Sequence, residues 1–311
     1  MAANIATSVR ARLTALARQQ GDAVDRVFLR YAIERLLYRL ARSGYRDQFV
    51  LKGAMLFSLW APVPYRSTGD LDLLGHGDPA PERMAAIFSA ICSAAVDDDG
   101  VAYDAASVRA ESVRDDEDYR GVRVTLTATL AGARLAIQID IGFGDAVTPG
   151  ASDVDYPSLL GFPSPSLRAY PAETVVAEKL EALVSLGMRN SRMKDFFDLW
   201  VIAKTFAFDG PTLAAAVAAT FERRGTALPQ GPSVALTRTF SDDAGKQSQW
   251  RAFLKRTTIA VAPEPLPELI AFIAEFVSPL MTAKAGTAMV GMTWQPGGPW
   301  VSGAQATSDG Y

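Results

Sequence analysis

The chain has 311 residues, 49% of them hydrophobic and 21% charged, which is typical of a soluble globular protein with one large domain or two ordinary ones. Its single cysteine cannot form an internal disulfide, and its single histidine excludes a metal site built from several histidines. The net charge of −3 indicates no class of partner. No apolar run is long enough to span a membrane, so we expect a cytoplasmic protein.

The first 50 residues are predicted to form helices, because apolar side chains recur there at helical spacing. This segment carries nine arginines and only four acids. The excess positive charge is interpreted either as a surface that faces phosphates or as the solvated face of an amphipathic helix. A further helix is predicted over residues 49–59.

A short strand is predicted from Asp70 to Leu74, where polar and apolar residues alternate. Successive side chains of a strand face opposite sides, so Asp70 and Asp72 share one face. Two carboxylates placed so closely repel each other unless a cation lies between them, and a divalent metal that also binds a phosphate is the usual cation. The segment therefore predicts a site that handles nucleotides.

The next predicted elements are a helix, an acidic irregular segment and a β-hairpin, at 79–95, 97–118 and 122–141. The hairpin turn is assigned to three residues, 131–133. Asp140 occupies the polar face of the second hairpin strand. It is either an exposed acid of an edge strand, or a third carboxylate beside Asp70 and Asp72 that binds a metal or activates a hydroxyl.

Prolines mark a domain boundary near residue 165, and the chain beyond it is predicted to be mostly helical. The predicted helices are 172–187, 193–207, 212–224, 246–256 and 264–282. Residues 285–311 are rich in Gly, Ser and Thr and are interpreted as a flexible tail. The predicted domains are therefore 1–165 and 166–284, followed by this tail.

Charged residues in the first two of these helices are further candidates for function. Lys179 lies among acids, and Asp195 and Asp198 are three residues apart and share one helix face. Lys179 can instead be a surface lysine paired with a neighbouring glutamate. The two aspartates can instead stabilise the start of their helix.

Four segments of the chain resemble the nucleotidyltransferase toxins of the AbiEii/AbiGii type, which include the mycobacterial MenT toxins. The segments are L-K-G-A…R-S-T-G-D-L-D-L, A-I-Q-I-D-I-G-F-G-D, A-E-K-L-E-A-L and R-M-K-D-F-F-D-L. They occur in the order of that family. The resemblance implies an α+β fold with a polymerase-β-like nucleotidyltransferase core and a mainly helical C-terminal domain that completes the active site.

The resemblance also implies the roles of individual residues. The expected metal ligands are Asp70, Asp72 and Asp140. The expected catalytic residues are Asp70, Asp72, Asp140, Lys179 and Asp198. The expected nucleotide-binding residues are Lys52, Gly53, Arg66, Lys179 and Asp195. Two alternatives stay open for Arg66, which either contacts a phosphate or pairs with Asp70. Ala54 follows the motif glycine, so only the backbone can bind phosphate at that position.

The function implied by the resemblance is that of a toxin whose antitoxin is encoded separately. The enzyme would use Mg²⁺ and a nucleoside triphosphate, add nucleotides to the 3′ acceptor end of tRNA, and so block translation. Basic residues that could contact the acceptor are Arg10, Arg12, Arg35, Arg39, Arg42, Arg189, Arg192, Arg223, Arg224, Lys255 and Arg256. Two other functions fit the same residues: transfer to a protein hydroxyl or a small molecule such as an aminoglycoside, and a non-catalytic binding protein.

Overall fold

The computed structural model of the protein describes residues 2–61, 65–66, 68–116, 119–229, 231–261, 263–282 and 285–302. Helices and strands are both abundant in it, which confirms the expectation of a fold that mixes helices with a sheet. The chain divides into two compact units. The N-terminal unit comprises Met1–Gly144 and Ser152–Ala169, and the C-terminal unit comprises Asp145–Ala151 and Tyr170–Tyr311.

Within the described residues, the N-terminal unit consists of one seven-stranded sheet and four α-helices. In chain order its elements are α1 (Ala2–Gln20), α2 (Val24–Arg42), β1 (Phe49–Lys52), α3 (Phe57–Trp60), β2 (Asp70–Gly75), α4 (Pro81–Cys92), β3 (Val101–Asp116), β4 (Tyr119–Leu130), β5 (Ala133–Phe143), β6 (Ser152–Asp155) and β7 (Ser166–Ala169). The strands lie in the order β3-β4-β5-β2-β1-β7-β6. The pairs β2–β5 and β1–β7 are parallel, and the other pairs are antiparallel.

The core of this unit follows from the alternation in β2, β4 and β5. Every second residue is apolar and buried, for example Leu71, Val124 and Ile139, and burial of such a side chain contributes about 1.5–3 kcal/mol. Helix α2 packs against β5, and α4 packs against β3 and β4. The residues between the buried ones therefore face the other side of the sheet, and this side carries the aspartates of β2 and β5.

Two predictions about strands in this unit are wrong. Residues 49–52 were assigned to a helix but form β1, which lies between β2 and β7. A strand that is buried on both faces reads as a continuous apolar run, and such a run cannot be told from a buried helix by periodicity. Residues 101–116 were predicted to be irregular but form the edge strand β3. Small and polar residues hide its alternation, and its pairing with β4 is interrupted between Asp104 and Arg109.

The arginine-rich helices do not form a uniformly exposed basic surface. Arg35 and Arg39 are buried and both bind Asp99, at Nε–Oδ2 and Nη1–Oδ2 distances of 2.9 and 2.7 Å. Burial alone would raise the pKa of Asp99, but the hydrogen bonds from the two guanidinium groups outweigh it and the pKa is lowered. Arg10 and Arg12 are exposed and each donates to a backbone carbonyl. Neither interpretation of this segment holds for Arg35 and Arg39.

The C-terminal unit is mainly helical in the part of the chain that the structure describes. Its elements are α5 (Ala172–Leu186), α6 (Met193–Thr205), β8 (Phe208–Asp209), α7 (Gly210–Arg223), α8 (Arg238–Ser241), α9 (Ala244–Arg256), α10 (Leu266–Val277), α11 (Ala285–Ala288), β9 (Met292–Trp294) and β10 (Trp300–Ser302). The five helices predicted beyond residue 165 are α5, α6, α7, α9 and α10. Their observed ends lie within a few residues of the predicted ones.

The prediction of a flexible tail is wrong for residues 285–302. Strand β9 pairs with β8 and with β10. Trp294 is fully buried, its Nε1 donates to the carbonyl of Ala203 at 2.7 Å, and its ring packs against Phe276. Average composition hid this element, because many Gly, Ser and Thr residues surround its few large apolar side chains. Residues 303–311 of the predicted tail lie outside the described residues.

Candidate active site

The turn after β1 places a glycine against the carboxyl group of Asp72. Gly53 has a φ of +73°, in the left-handed region that glycine adopts without steric cost. A Cβ atom at this position would lie 2.6 Å from Cγ and 2.7 Å from Cβ of Asp72, which is much closer than ordinary contact. The glycine therefore leaves the space that the Asp72 side chain occupies. Sequence reasoning did not find this steric role.

The pairing register aligns four charged residues across four neighbouring strands. Lys52 of β1 lies opposite Asp72 of β2. Asp72 lies opposite Asp140 of β5, and Asp140 lies opposite Arg123 of β4. Directly opposed residues have their side chains on the same face of the sheet. We call these four residues the charged row, in which two acids lie side by side and a base flanks each end.

Asp140 is bound on both carboxylate oxygens by donors from its own sheet. Arg123 Nε donates to Oδ1 at 2.8 Å and Nη2 donates to Oδ2 at 3.0 Å, while Gln138 Nε2 donates to Oδ2 at 3.1 Å. The side chains of Asp140 and Arg123 are 34% and 36% exposed, so solvent reaches this ion pair. Asp70 lies opposite Gln138 on the adjacent strand and is exposed. Asp140 is thus not an exposed acid of an edge strand, because β5 lies between β4 and β2 and an arginine of β4 binds the carboxylate.

Sequence reasoning missed Arg123, although a signal for it was present. The hairpin turn consists of Ala131 and Gly132, because Leu130 pairs with Ala133. A two-residue turn fixes the register and places Arg123 opposite Asp140. The assignment of three residues to the turn left this register undefined. Arg66, the remaining candidate of this unit, is buried and its guanidinium carbon lies 5.8 Å from the ring centroid of Phe57.

Three charged candidates meet in the C-terminal unit. Lys179 of α5 lies 2.8 Å from Asp195 Oδ1 and 2.8 Å from Asp198 Oδ2, both on α6. The exposed fractions of the three side chains are 15%, 9% and 0%. A carboxylate without solvent is costly unless it is paired, and Lys179 supplies positive charge beside Asp198. Lys179 is therefore not a surface lysine.

A second buried ion cluster in this unit accounts for Arg224. Its Nη1 lies 2.8 Å from Glu181 Oε2, and its Nη2 lies 3.2 Å from Asp145 Oδ1. Thr226 Oγ1 donates to the other oxygen of Glu181 at 2.6 Å. The arginine side chain is only 19% exposed. Arg224 therefore neutralises buried acids and is not a surface contact for phosphates, unlike the exposed Arg223 beside it.

The carboxylates of β2 fit a magnesium ion that arrives with a substrate. Among the residues that the structure describes, no three His, Cys, Asp or Glu side chains are gathered into a metal site of their own. Mg²⁺ needs no such cage, because proteins commonly hold it with one or two carboxylates and the phosphate oxygens of the substrate. Asp70 and Asp72 share one face of one strand and supply hard oxygen ligands of this kind.

Carboxylates that can hold a divalent ion occur in enzymes that transfer phosphate-containing groups, among others. Comparison with known proteins defines the class further. The family model described as the nucleotidyl transferase AbiEii toxin of type IV toxin–antitoxin systems matches residues 35–272. The chain therefore belongs to the AbiEii family and is a nucleotidyltransferase, which confirms the resemblance seen in the sequence. Membership of this family implies a separate antitoxin partner.

Two solved structures from Helicobacter pylori are similar to the chain. One is a protein provisionally described as a nucleotidyltransferase, with 16% identity and a TM-score of 0.47, and the match covers 81% of this chain and 93% of that one. The other is JHP933, with 17% identity and a TM-score of 0.46, covering 79% and 88%. At these values the likenesses carry no part of the assignment. No curated protein matches the chain. Among its described helices, none is both long and apolar enough to cross a membrane.

Proposed function

We propose that this protein is a magnesium-dependent toxin with a polymerase-β-like core, which transfers a nucleoside monophosphate from a nucleoside triphosphate to the 3′ end of tRNA. The observation that carries the proposal is the charged row, because Asp72 lies beside Asp140 in it, and Asp70 lies two residues from Asp72 on the same face of β2. Membership of the AbiEii family supports the transfer of a nucleotide. A nucleotide added to the acceptor end prevents aminoacylation and therefore blocks translation.

The proposed step exchanges one bond to phosphorus for another. The 3′-hydroxyl oxygen of the acceptor attacks the α-phosphorus and forms the new O–P bond. The bond from the α-phosphorus to the oxygen that bridges it to the β-phosphate breaks, and pyrophosphate leaves with that electron pair. The hydroxyl proton passes to Asp140 or to solvent. Positioning and charge stabilisation supply most of the rate enhancement in such reactions.

The candidate residues of the N-terminal unit are proposed to have two roles, since some would bind the metal and others the phosphates. Asp70 and Asp72, with Asp140 as the third acid, would hold Mg²⁺, which when bound would neutralise the triphosphate and orient its α-phosphate. The backbone N–H groups of the turn at Gly53 are proposed to donate to phosphate oxygens. Lys52 and Arg66 are proposed as further cations for the same group. These assignments use hard oxygen ligands for the metal and positive charge for the phosphates.

Lys179 is proposed to neutralise the triphosphate, with Asp195 and Asp198 as the acids that hold its ammonium group in place. The three side chains already form one ion cluster, and this supports the positioning role of the two aspartates. An ammonium group can donate to phosphate oxygens as well as to carboxylates, and the two aspartates fix where this one lies. A variant that replaces Asp195 should then raise the KM for the triphosphate more than it lowers kcat.

An RNA acceptor requires phosphate contacts beyond the nucleotide. Exposed basic side chains are available in each unit, among them Arg10 and Arg12 of α1, Arg192 before α6, and Lys255 and Arg256 of α9. Each phosphate that such residues neutralise releases counterions, so tRNA binding should weaken steeply as salt rises. An acceptor affinity that does not change with salt would contradict the proposed RNA contacts.

The decisive assay offers the purified protein Mg²⁺, each of the four α-labelled triphosphates and three acceptor mixtures, namely total tRNA, total protein and small alcohols that include aminoglycosides. We expect label in tRNA, and we expect Asp72→Asn to reduce the rate on the order of 10³-fold or more, since it removes a metal carboxylate. The Arg134→Gln variant serves as a control on the same sheet. Digestion of the labelled tRNA should release the added nucleotide from its 3′ end.

The other outcomes of the same assay identify the competing functions. Label in protein or in a small alcohol would replace tRNA as the acceptor while retaining the metal site. A protein that labels nothing, and whose thermal stability does not change with Mg²⁺ and triphosphate, would be a non-catalytic binding protein. In that case Asp72→Asn should also leave growth inhibition in cells unchanged.

A further inference from the structure

Arg123 occupies a position in the charged row that a metal-binding site does not require. A metal ligand needs a free lone pair directed at the ion, but both oxygens of Asp140 accept hydrogen bonds from Arg123. Oδ2 accepts a second bond from Gln138. Each carboxylate oxygen has about two lone-pair sites, so Oδ2 is saturated and Oδ1 retains one. In this arrangement Asp140 already has a cation, and that cation belongs to the chain.

The charges around Arg123 explain why it is held there. Asp70, Asp72 and Asp140 share one face of two adjacent strands, and Glu111 of β3 lies opposite Arg123 on its other side. The pKa of Arg123 is raised, chiefly by its hydrogen bonds to Asp140, with smaller contributions from the charges of Asp70 and Glu111. Several acids therefore attract this guanidinium, and no other neighbour of Asp140 in the row supplies positive charge among the described strands.

We infer that Arg123 is a positioning residue that neutralises Asp140 until a divalent ion binds, and that Arg123 and the ion compete for Asp140. This inference rests on the proposed function, because it takes Asp140 to be a metal ligand. The bidentate geometry holds the carboxylate in one orientation, and the exposure of about a third of each side chain lets the guanidinium leave. The ion pair thus offsets the repulsion among Asp70, Asp72 and Asp140 in the metal-free protein and breaks when the metal binds.

The strength of this competition follows from the geometry of the pair. Partly exposed ion pairs contribute at most about 1 kcal/mol, and the bidentate contact places this one near the upper end. A metal that must displace Arg123 from Asp140 loses about that much, which corresponds to roughly fivefold in affinity. Removal of the guanidinium should therefore tighten metal binding, whereas the loss of an ordinary structural residue would weaken it or leave it unchanged.

The test measures binding of Mn²⁺ alone to the full-length protein, by the electron paramagnetic resonance signal of free Mn²⁺. We expect Arg123→Gln to lower the Kd about fivefold, and Arg123→Lys to lie between this variant and the wild type because lysine cannot form the fork. Arg134→Gln removes the same charge from β5, six residues from Asp140. That distance is about 20 Å along the strand, well beyond the screening length at physiological salt, so its Kd should not change.

The dependence on Asp140 distinguishes competition from a general charge effect. In the Asp140→Asn background, Arg123→Gln should change the Mn²⁺ Kd by less than about twofold, because the pair no longer exists. An equal tightening in both backgrounds, or weaker binding in Arg123→Gln alone, would overturn the inference. Circular dichroism and urea unfolding confirm that each variant is folded before its Kd is compared.

The outcome for Asp72 separates this inference from the proposed function. If Asp72→Asn binds Mn²⁺ as the wild type does, the metal site itself is wrong and the proposed function fails. If Asp72→Asn loses Mn²⁺ while Arg123→Gln binds it with an unchanged Kd, the metal site stands and only the competition by Arg123 fails.

Discussion

Replacement of Gly53 by alanine is the sharpest test of how the charged row is built. The new Cβ atom would lie 2.6 Å from Asp72 Cγ, whereas ordinary contact begins at 3.4 Å. Asp72 Oδ2 would lie closer still, so the carboxyl group must move by more than the 0.8 Å that separates 2.6 from 3.4 Å, or the turn must shift by as much. A displacement of about 1 Å in a reacting centre costs on the order of 10²-fold in rate. We expect Gly53→Ala to lose about that factor in nucleotide transfer.

The same substitution also has a cost that does not involve Asp72. Alanine at a φ of +73° is less stable than glycine by about 1–2 kcal/mol. Gly21 provides the matched control, since its φ is +64° and nothing lies within 4 Å of the Cβ that alanine would add there. Gly21→Ala should show the backbone cost in urea unfolding and retain the wild-type rate. The difference in rate between the two variants isolates the contact with Asp72.

The assay is transfer of α-labelled nucleotide to the acceptor under single-turnover conditions, with the folded fraction of each variant measured by urea unfolding. The reasoning would be refuted if Gly53→Ala retained a rate within threefold of Gly21→Ala, since the Asp72 carboxylate would then tolerate displacement. Combination with Asp72→Asn provides a second check. The two substitutions act on one group, so the double variant should be scarcely slower than Asp72→Asn.

Three further substitutions test the ion clusters and the C-terminal strands. Lys179→Met removes the positive charge that lies 2.8 Å from two buried carboxylates, so the free energy of unfolding in urea should fall by about 3–5 kcal/mol. Asp99→Asn removes the carboxylate that two buried guanidinium groups bind, so it should lower the free energy of unfolding by a similar amount at pH 7. The folded-state pKa of Asp99 is lowered, so the stabilisation by its charge is present above the ordinary value of 3.8 and is lost as the pH falls through the folded-state value. The difference in unfolding free energy between Asp99→Asn and the wild type should therefore shrink in urea titrations below pH 3.8. Trp294→Ala should lower the free energy of unfolding by about 3–5 kcal/mol, whereas a flexible tail would leave it unchanged.

The elements that could be predicted from the sequence are those with one buried face. Strand β2, the hairpin β4–β5 and helices α5 to α7 alternate or repeat with a clear period, so their type and approximate limits were evident. Strand β1 is buried on both faces and β3 is a polar edge strand, and neither has a periodic signal. The strands β9 and β10 could not be predicted for another reason. Their stability depends on one tryptophan ring, Trp294, that packs against residues distant in the chain.

The candidate site likewise contains residues that could be predicted from local sequence pattern and contacts that could not. The aspartates of β2 and β5 could be proposed because they break an apolar alternation, and an unfavourable residue in a strand requires a reason. The two helical acids and Lys179 could be proposed as charged residues on apolar helices. Their mutual contact at 2.8 Å could not, because it depends on how α5 packs against α6. Likewise, no local pattern distinguishes the buried Arg35 from the exposed Arg12.

The positions of the cations explain how the sheet tolerates several acids on one face. Three carboxylates on one face of adjacent strands would destabilise the metal-free sheet if nothing opposed them. The register places Lys52 beside Asp72 and Arg123 beside Asp140, so each end of the row carries a base. In the proposed metal site, such internal counter-charges offset the repulsion before an ion binds, and they must be weak enough to yield to it. A partly exposed ion pair meets both conditions, since it offsets repulsion without the cost of a buried one.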